Sequence, residues 1–277
     1  MISAPTAAGK LPEFKWKLLI NPGYSWFRSF AEDFSSPDLC FLEDVEDDRP
    51  PVFWLTSRHL AELTEPEDVY DRAYALKVIL DGALHLGVGS LFGRYHPFDL
   101  QELWSLSPDG RPERPHSAGG EEPNFMAQPF SSNWRTWIPE WRDFESPFNR
   151  FESAMMWMAR VDDLTRGMLQ FIGANGVTWI SLYGMVDFMR TSGKTPADIV
   201  TLAKSSKKKL DLFMRTANNF AAIGPFCRHG DLGDEPPKNP MKLEEARQIV
   251  FGATREFLEQ RLASLGLAAQ YASRASL

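Results

Sequence analysis

The chain has 277 residues, with 30 Lys and Arg against 37 Asp and Glu, so its net charge of −7 excludes a whole-surface electrostatic grip on nucleic acid and leaves that work to local basic patches. With 43% apolar and 24% charged residues, including 20 Phe and nine Trp, it is a globular chain with an aromatic-rich core, not a disordered one. Two distant cysteines, Cys40 and Cys227, exclude a disulfide framework and a cysteine zinc site and point to the reduced cytoplasm. The start, MISAPTAAGKLPEF, lacks an apolar core, and no run approaches about 18 apolar residues, so neither a signal peptide nor a membrane span is expected.

Taken in order, residues 1–65 alternate short apolar runs with Pro-, Asp- and Ser-rich breaks. FKWKLLI (14–20) and PVFWL (51–55) read as strands, with the acidic EDVEDDRPP as a loop between them. Val69, Ala73, Leu76, Leu80 and Ala83 recur at helical spacing on one face, and Glu-Pro-Glu-Asp before them suits a helix start. GVGSLFG (87–93) ends that helix, FDLQELWSL (98–106) is strand-like, and SPDG closes it as a turn. RPERPHSAGGEEP reads as a surface loop or linker, and the Trp-rich WRTWIPEW as an ordered connection that docks on the core.

Helical patterns then follow one another. Ala154, Trp157, Met158, Val161, Leu164, Met168 and Phe171 form one apolar stripe. Further stripes run from Trp179 to Met189, from Leu210 to Ala221 and from Leu243 to Phe257, which together describe a helical bundle. The expected fold is α+β: a small mixed α/β N-terminal domain over residues 1–145, packed on an antiparallel helical bundle over 146–277. The Ala/Ser-rich tail after about Leu265 is expected to fray.

The polar residues gather at one corner, TANNFAAIGPFCRHGDLGDEPPKNPMKLEEA (216–246). A helix over about 207–222 would align Asp211, Arg215, Asn218 and Asn219 on one edge. Gly224-Pro225 would end it, and the turn that follows would carry Arg228 and His229 back toward that edge. Asn239-Pro240 would open the last helix as N-cap and first residue, with Glu244 and Glu245 near its positive end.

A His beside one or two Arg suits metal-free phosphodiester cleavage. His229 would act as general base on a ribose 2′-hydroxyl, Arg228 and Arg215 would hold the phosphate, and Asn218 would orient either group. KSSKKK supplies Lys204, Lys207, Lys208 and Lys209 as the one patch suited to a phosphate backbone. The alternatives are structural: Arg228 and His229 as a helix cap, and the lysines as a solvated helix start. His59, His85, His96 and His116 show no metal-ligand spacing, GVGSLFG follows a helix where a dinucleotide loop would follow a strand, and neither a metal nor a cofactor is expected. Tyr183 and Asp187 lie one helical turn apart and read as a structural pair.

The 216–246 run, with WISLYGMVDFMR (179–190) and ALKVILDGALHLG (75–87), resembles a set of uncharacterised bacterial proteins with HEPN-like helical domains. The resemblance implies a helical bundle that homodimerises and serves as a metal-independent ribonuclease or RNA-binding effector in defence, toxin–antitoxin or stress systems. The family's nuclease motif sets its Arg and His a few residues apart, whereas here Arg228 directly precedes His229 and Arg215 lies thirteen intervening residues before it. Some HEPN-like domains bind without cutting. A non-enzymatic sensor or scaffold that binds a protein partner through the aromatic 130–144 stretch and the bundle surface is therefore the competing expectation.

Overall fold

The structure, a computed structural model, describes residues 14–22, 26–34, 36–45, 50–87, 95–116, 123–134, 150–231 and 233–267. Among these residues the fold is mixed α+β, with one antiparallel five-stranded sheet and nine α-helices. The chain divides into two compact units. One holds the described residues up to Leu80 and those of Pro97–Val161; the other holds those of Asp81–His96 and Asp162–Ala269. The boundary expected near 145 and most of WRTWIPEW fall outside the described residues.

In the first unit, strands β1 (Trp16–Asn21), β2 (Cys40–Asp44), β3 (Val52–Thr56), β4 (Asp99–Leu106) and β5 (Pro112–His116) order as β2-β3-β1-β4-β5. The central β1 sets Leu18 opposite Leu55 and Leu103, so one face of the sheet is apolar. Helix α1 (Phe27–Asp33) places Phe27 edge-on to Phe41, Phe53 and Phe98 at centroid distances of 5.2, 5.2 and 5.7 Å. Such edge-to-face contacts add to the burial of the rings.

Two expectations about this unit are corrected. Glu43 and Asp44 belong to β2, not to a loop, because CFLED pairs along its length with β3. Residues 112–116 are strand β5 and not a linker: Pro112 and Pro115 sit on a strand that, among the described residues, pairs with β4 alone, and a missing N–H is tolerated on its other side.

Helix α2 (Pro66–Leu86) follows its predicted face, with Val69, Ala73, Leu76, Leu80 and Ala83 all buried, and Glu67 and Asp68 in its first turn. Helix α3 (Phe151–Val161) is buried from Phe151 through Arg160, so even Glu152 and Arg160 are shut from water.

In the first unit, burial also gathers charge. Asp38, His59 and Arg160 have fully buried side chains. Arg160 donates from Nε to Asp38 Oδ1 at 2.8 Å and from Nη2 to Asp38 Oδ2 at 2.5 Å. Its guanidinium lies 4.2 Å from the Trp157 ring and 4.7 Å from the Trp134 ring. The Ser131 backbone N–H donates to His59 Nδ1 at 3.0 Å, so Nδ1 is the acceptor and Nε2 carries the proton toward Asp38 Oδ1 at 2.8 Å. Burial pushes His59 below its usual pKa and outweighs the pull of Asp38. Burial pushes Asp38 up, but Arg160 and His59 together hold its carboxyl below the usual range.

The second unit is a set of capped helices: α4 (Asp163–Asn175), α5 (Trp179–Thr191), α6 (Pro196–Leu202), α7 (Lys207–Ala217), the short α8 (Phe220–Ile223) and α9 (Leu243–Ser264). The single stripe expected over 154–171 is two helices, because the side chain of Asp162 accepts the Thr165 N–H and caps α4. Thr178 with Ser181 and Thr195 with Asp198 form capping boxes at the starts of α5 and α6. Gly82 of α2 lies where a Cβ would fall 2.2 Å from the Leu169 carbonyl oxygen of α4, so two helix backbones meet there without side-chain spacing.

Candidate functional site

The corner after α7 is built by asparagines and a glycine. Helix α7 opens on Ser206, whose side chain accepts the Lys209 N–H, and it ends at Ala217 instead of the expected 222. The reason is Asn219: its Oδ1 takes the Ala222 N–H at 2.9 Å and starts α8, and its Nδ2 donates to the Asp234 carbonyl at 2.9 Å. Gly224 then turns at φ +62°, a left-handed value suited to glycine, into the 3₁₀ turn Gly224–Phe226.

The returning chain is tied down. The Arg228 N–H donates to the Ala217 carbonyl at 2.9 Å, which satisfies the end of α7. The buried Cys227 thiol donates to the His229 carbonyl. The Met241 N–H donates to Thr216 Oγ1 at 3.1 Å, and Met241 is buried. That contact holds Pro240-Met241 against α7, so the last helix opens at Leu243 after Lys242; the expected cap at Asn239-Pro240 is corrected. Glu244 and Glu245 do lie in its first turn.

The predicted catalytic residues separate into two places. A cleft of about 490 Å³ is lined by Met214, Arg215, Asn218, Asn219, Asp234 and Glu235, so Arg215 and Asn218 share it, but Arg228 and His229 are not among its walls. Arg228 turns instead to α5. Its Nη2 lies 3.1 Å from Asp187 Oδ2 and its guanidinium 4.1 Å from the Tyr183 ring. Tyr183 and Asp187, one turn apart, thus form the two halves of an Arg228 seat. His229 is exposed, and among the described residues no side chain holds its ring. A catalytic His is usually oriented by a hydrogen-bonding partner, and cleavage of a phosphodiester also uses a cation placed on the phosphate. Here the cation beside it in sequence is neutralised by Asp187.

The lysines also divide. Lys204 pairs with Glu256 at 3.4 Å and Lys209 with Glu245 at 3.1 Å. Lys207 and Lys208 stand exposed at the start of α7 without an ion pair among the described residues. The return loop that faces solvent carries three exposed acids, Asp231, Asp234 and Glu235.

Sequence reasoning missed Asp234 and Glu235 as cleft walls, and it missed the exposed apolar groups of the corner. Phe226 is 70% exposed and Phe220 41%. For Phe226 the signal was present, since it falls outside every apolar stripe of the bundle; Phe220 lies within the stretch that reads as one helix, and its exposure follows from the break at Asn219. No group of three or more His, Cys, Asp or Glu placed to hold a metal ion occurs among the described residues, and none of their helices is long and apolar enough to cross a membrane. No protein-family model, no curated protein and no solved structure matches the chain.

Proposed function

We propose that the helical unit is a non-enzymatic binding module that docks a protein partner on the corner between α7 and α9. The observation that carries this reading is the exposure of Phe220 and Phe226 on a segment whose backbone is otherwise fastened by capping and by hydrogen bonds to other parts of the chain. Exposed aromatic rings on a fixed backbone cost little entropy on binding and serve as apolar anchors. The exposed Asp231, Asp234 and Glu235 repel phosphate and suit a partner segment with basic side chains. If the HEPN-like resemblance holds, this reading corresponds to members that bind without cutting.

A second reading, RNA contact, is favoured by one observation: Lys207 and Lys208 are exposed together at the first turn of α7. Affinity capture from the source cells, with and without nuclease, separates the two. The expected result is a protein partner retained by wild type and by Lys207→Ser/Lys208→Ser after nuclease, and lost from Phe220→Ser/Phe226→Ser. Capture that requires RNA and disappears with the lysines overturns the protein-docking reading in favour of RNA. Degradation of RNA by the purified chain in EDTA, abolished by His229→Ala at an unchanged melting temperature, overturns the non-enzymatic reading.

A further inference from the structure

Residues 123–133 run over the first unit as irregular chain, neither helix nor strand. Several of the bonds that fasten this strap end on acceptors that titrate. The Asn124 backbone N–H donates to Asp71 Oδ1 at 3.1 Å, and its Nδ2 donates to Asp71 Oδ2 at 2.9 Å. Ser131 Oγ and Asn133 Nδ2 both donate to Glu62 Oε2, at 2.7 and 3.1 Å. The Ser131 backbone N–H donates to Nδ1 of the buried His59 at 3.0 Å. Phe130 is buried and lies edge-on to the imidazole at 5.2 Å, so this end of the strap helps shut His59 from water.

The bond from Ser131 to His59 is incompatible with an imidazolium. A protonated Nδ1 is a donor and would face the donor of Ser131. His59 has little room to draw back. Its backbone N–H is bound to Ser57 Oγ at 3.1 Å at the start of the 3₁₀ turn Arg58–Leu60, and Arg72 Nη1 holds its carbonyl at 2.9 Å. The charges around the ring are already matched: Asp38 before β2 and Glu62 after the turn stand against Arg160 of α3 and Arg72 of α2. A further positive charge there leaves a net charge, which burial penalises. The geometry points to an acid-released latch: a proton taken up at His59 Nδ1 expels the Ser131 N–H, and residues 130–134 lift away while the sheet stays folded. The closed latch refuses the proton. The open one, with its imidazole in water, accepts it near the ordinary value of 6.5, so acid draws the equilibrium toward the open form. Irregular chain is the part of a fold that opens at less than the free energy of global unfolding.

Amide hydrogen exchange of the full chain, followed by NMR between pH 7.5 and 5, tests the latch, with each rate expressed as protection relative to the intrinsic rate at that pH. The Ser131 amide is expected to be less protected than that of Leu18, at the centre of the sheet, at every pH. Below about pH 6.5 its protection falls about tenfold per pH unit, the slope for one proton bound on opening. In His59→Gln the side-chain amide accepts from Ser131, donates to Asp38 and does not titrate, so the slope disappears. Glu62→Gln, a second variant away from the imidazole, keeps an acceptor for Ser131 and Asn133 but loses the charge. It lowers Ser131 protection several-fold at pH 7.5 and leaves the slope in place. Three results overturn the inference: Ser131 protection equal to that of Leu18, which means that the strap opens only with the whole unit; wild-type protection without a slope below pH 6.5; or a slope that persists in His59→Gln.

Discussion

Arg160 and Arg228 make the same two kinds of contact in different surroundings. Arg160 pairs with Asp38 through two bonds at 2.5 and 2.8 Å and rests on Trp157 and Trp134. Arg228 pairs with Asp187 at 3.1 Å and rests on Tyr183. The first pair has 0% of either side chain exposed, and the second has 36% of both. Attraction between two charges grows several-fold as the effective dielectric falls, and so does the penalty for stranding one of them. The same contacts therefore lock one unit's interior and merely decorate the other's surface.

The comparison is broken most sharply at its buried end. Arg160→Met keeps an aliphatic stem against the two indoles but leaves the Asp38 carboxylate buried beside His59 alone. The expected loss is about 3–5 kcal/mol, because removing one partner of a buried pair strands the other charge. Urea unfolding of wild type and variant checks it, and a loss under about 1 kcal/mol would show that water reaches Asp38.

Gly82→Ala asks whether the helical unit is simply more forgiving. Its strong point is steric, not electrostatic: the new methyl would meet the Leu169 carbonyl oxygen at 2.2 Å, and that atom is backbone and cannot rotate away. Overpacking of this kind costs about 1–3 kcal/mol. Gly184→Ala meets the Phe171 ring at 2.3 Å, the far end of a side chain where Gly82→Ala meets backbone, so its melting temperature should fall less.

Acid provides a third test, confined to the sheet unit. His59 is held below its ordinary value of 6.5, first by burial. Above that value its ring is neutral whether the chain is folded or not, and it adds no pH dependence. Below it the unfolded chain takes up a proton that the folded chain refuses, so stability falls as pH falls. Stability should therefore fall progressively from pH 7.5 to 5, which urea unfolding at each pH measures. His59→Gln, whose amide can still donate to Asp38 and accept from Ser131, should flatten the curve over that interval. Asp38 acts separately: held below 3.8, it contributes stability that is present above that value and lost as pH falls through its folded pKa.

How much of this was legible in the sequence follows the range of each interaction. The buried face of α2 and strands β1, β3 and β4 could be read from local period alone. Strand β5 was hidden by its prolines, and the break at Asp162 by an apolar stripe that continues through it. The Asp38–His59–Arg160 cluster spans 21 residues on one side and 122 on the other, and no local pattern announces it. At the candidate site, Arg215 and Asn218 were placed on one edge by helical spacing and do share the cleft. Asp234 and Glu235 join them only through the bond from Asn219, which sequence spacing does not reveal. Tyr183 and Asp187 were visible as a pair, but their third member, Arg228, arrives from beyond three intervening helices, α6, α7 and α8.

The smallest expected effect is the one that decides the meaning of the corner. Arg228→Met removes a half-exposed ion pair and a cation–π contact, but not the backbone bond from residue 228 to the Ala217 carbonyl. Exposed pairs contribute at most about 1 kcal/mol, because water competes for both charges and each long side chain loses freedom. The melting temperature should therefore move by a few degrees at most, and the difference from wild type should shrink in molar salt, where surface pairs are screened. A drop as large as that of Arg160→Met would mean that Arg228 is shielded in solution and acts as a true keystone of the bundle. A negligible drop, with partner capture weakened, would mean that Asp187 and Tyr183 hold the guanidinium in place for a partner and not for the fold. The same variant thus measures, on the exposed arginine, how far one set of contacts can differ in effect from its buried counterpart.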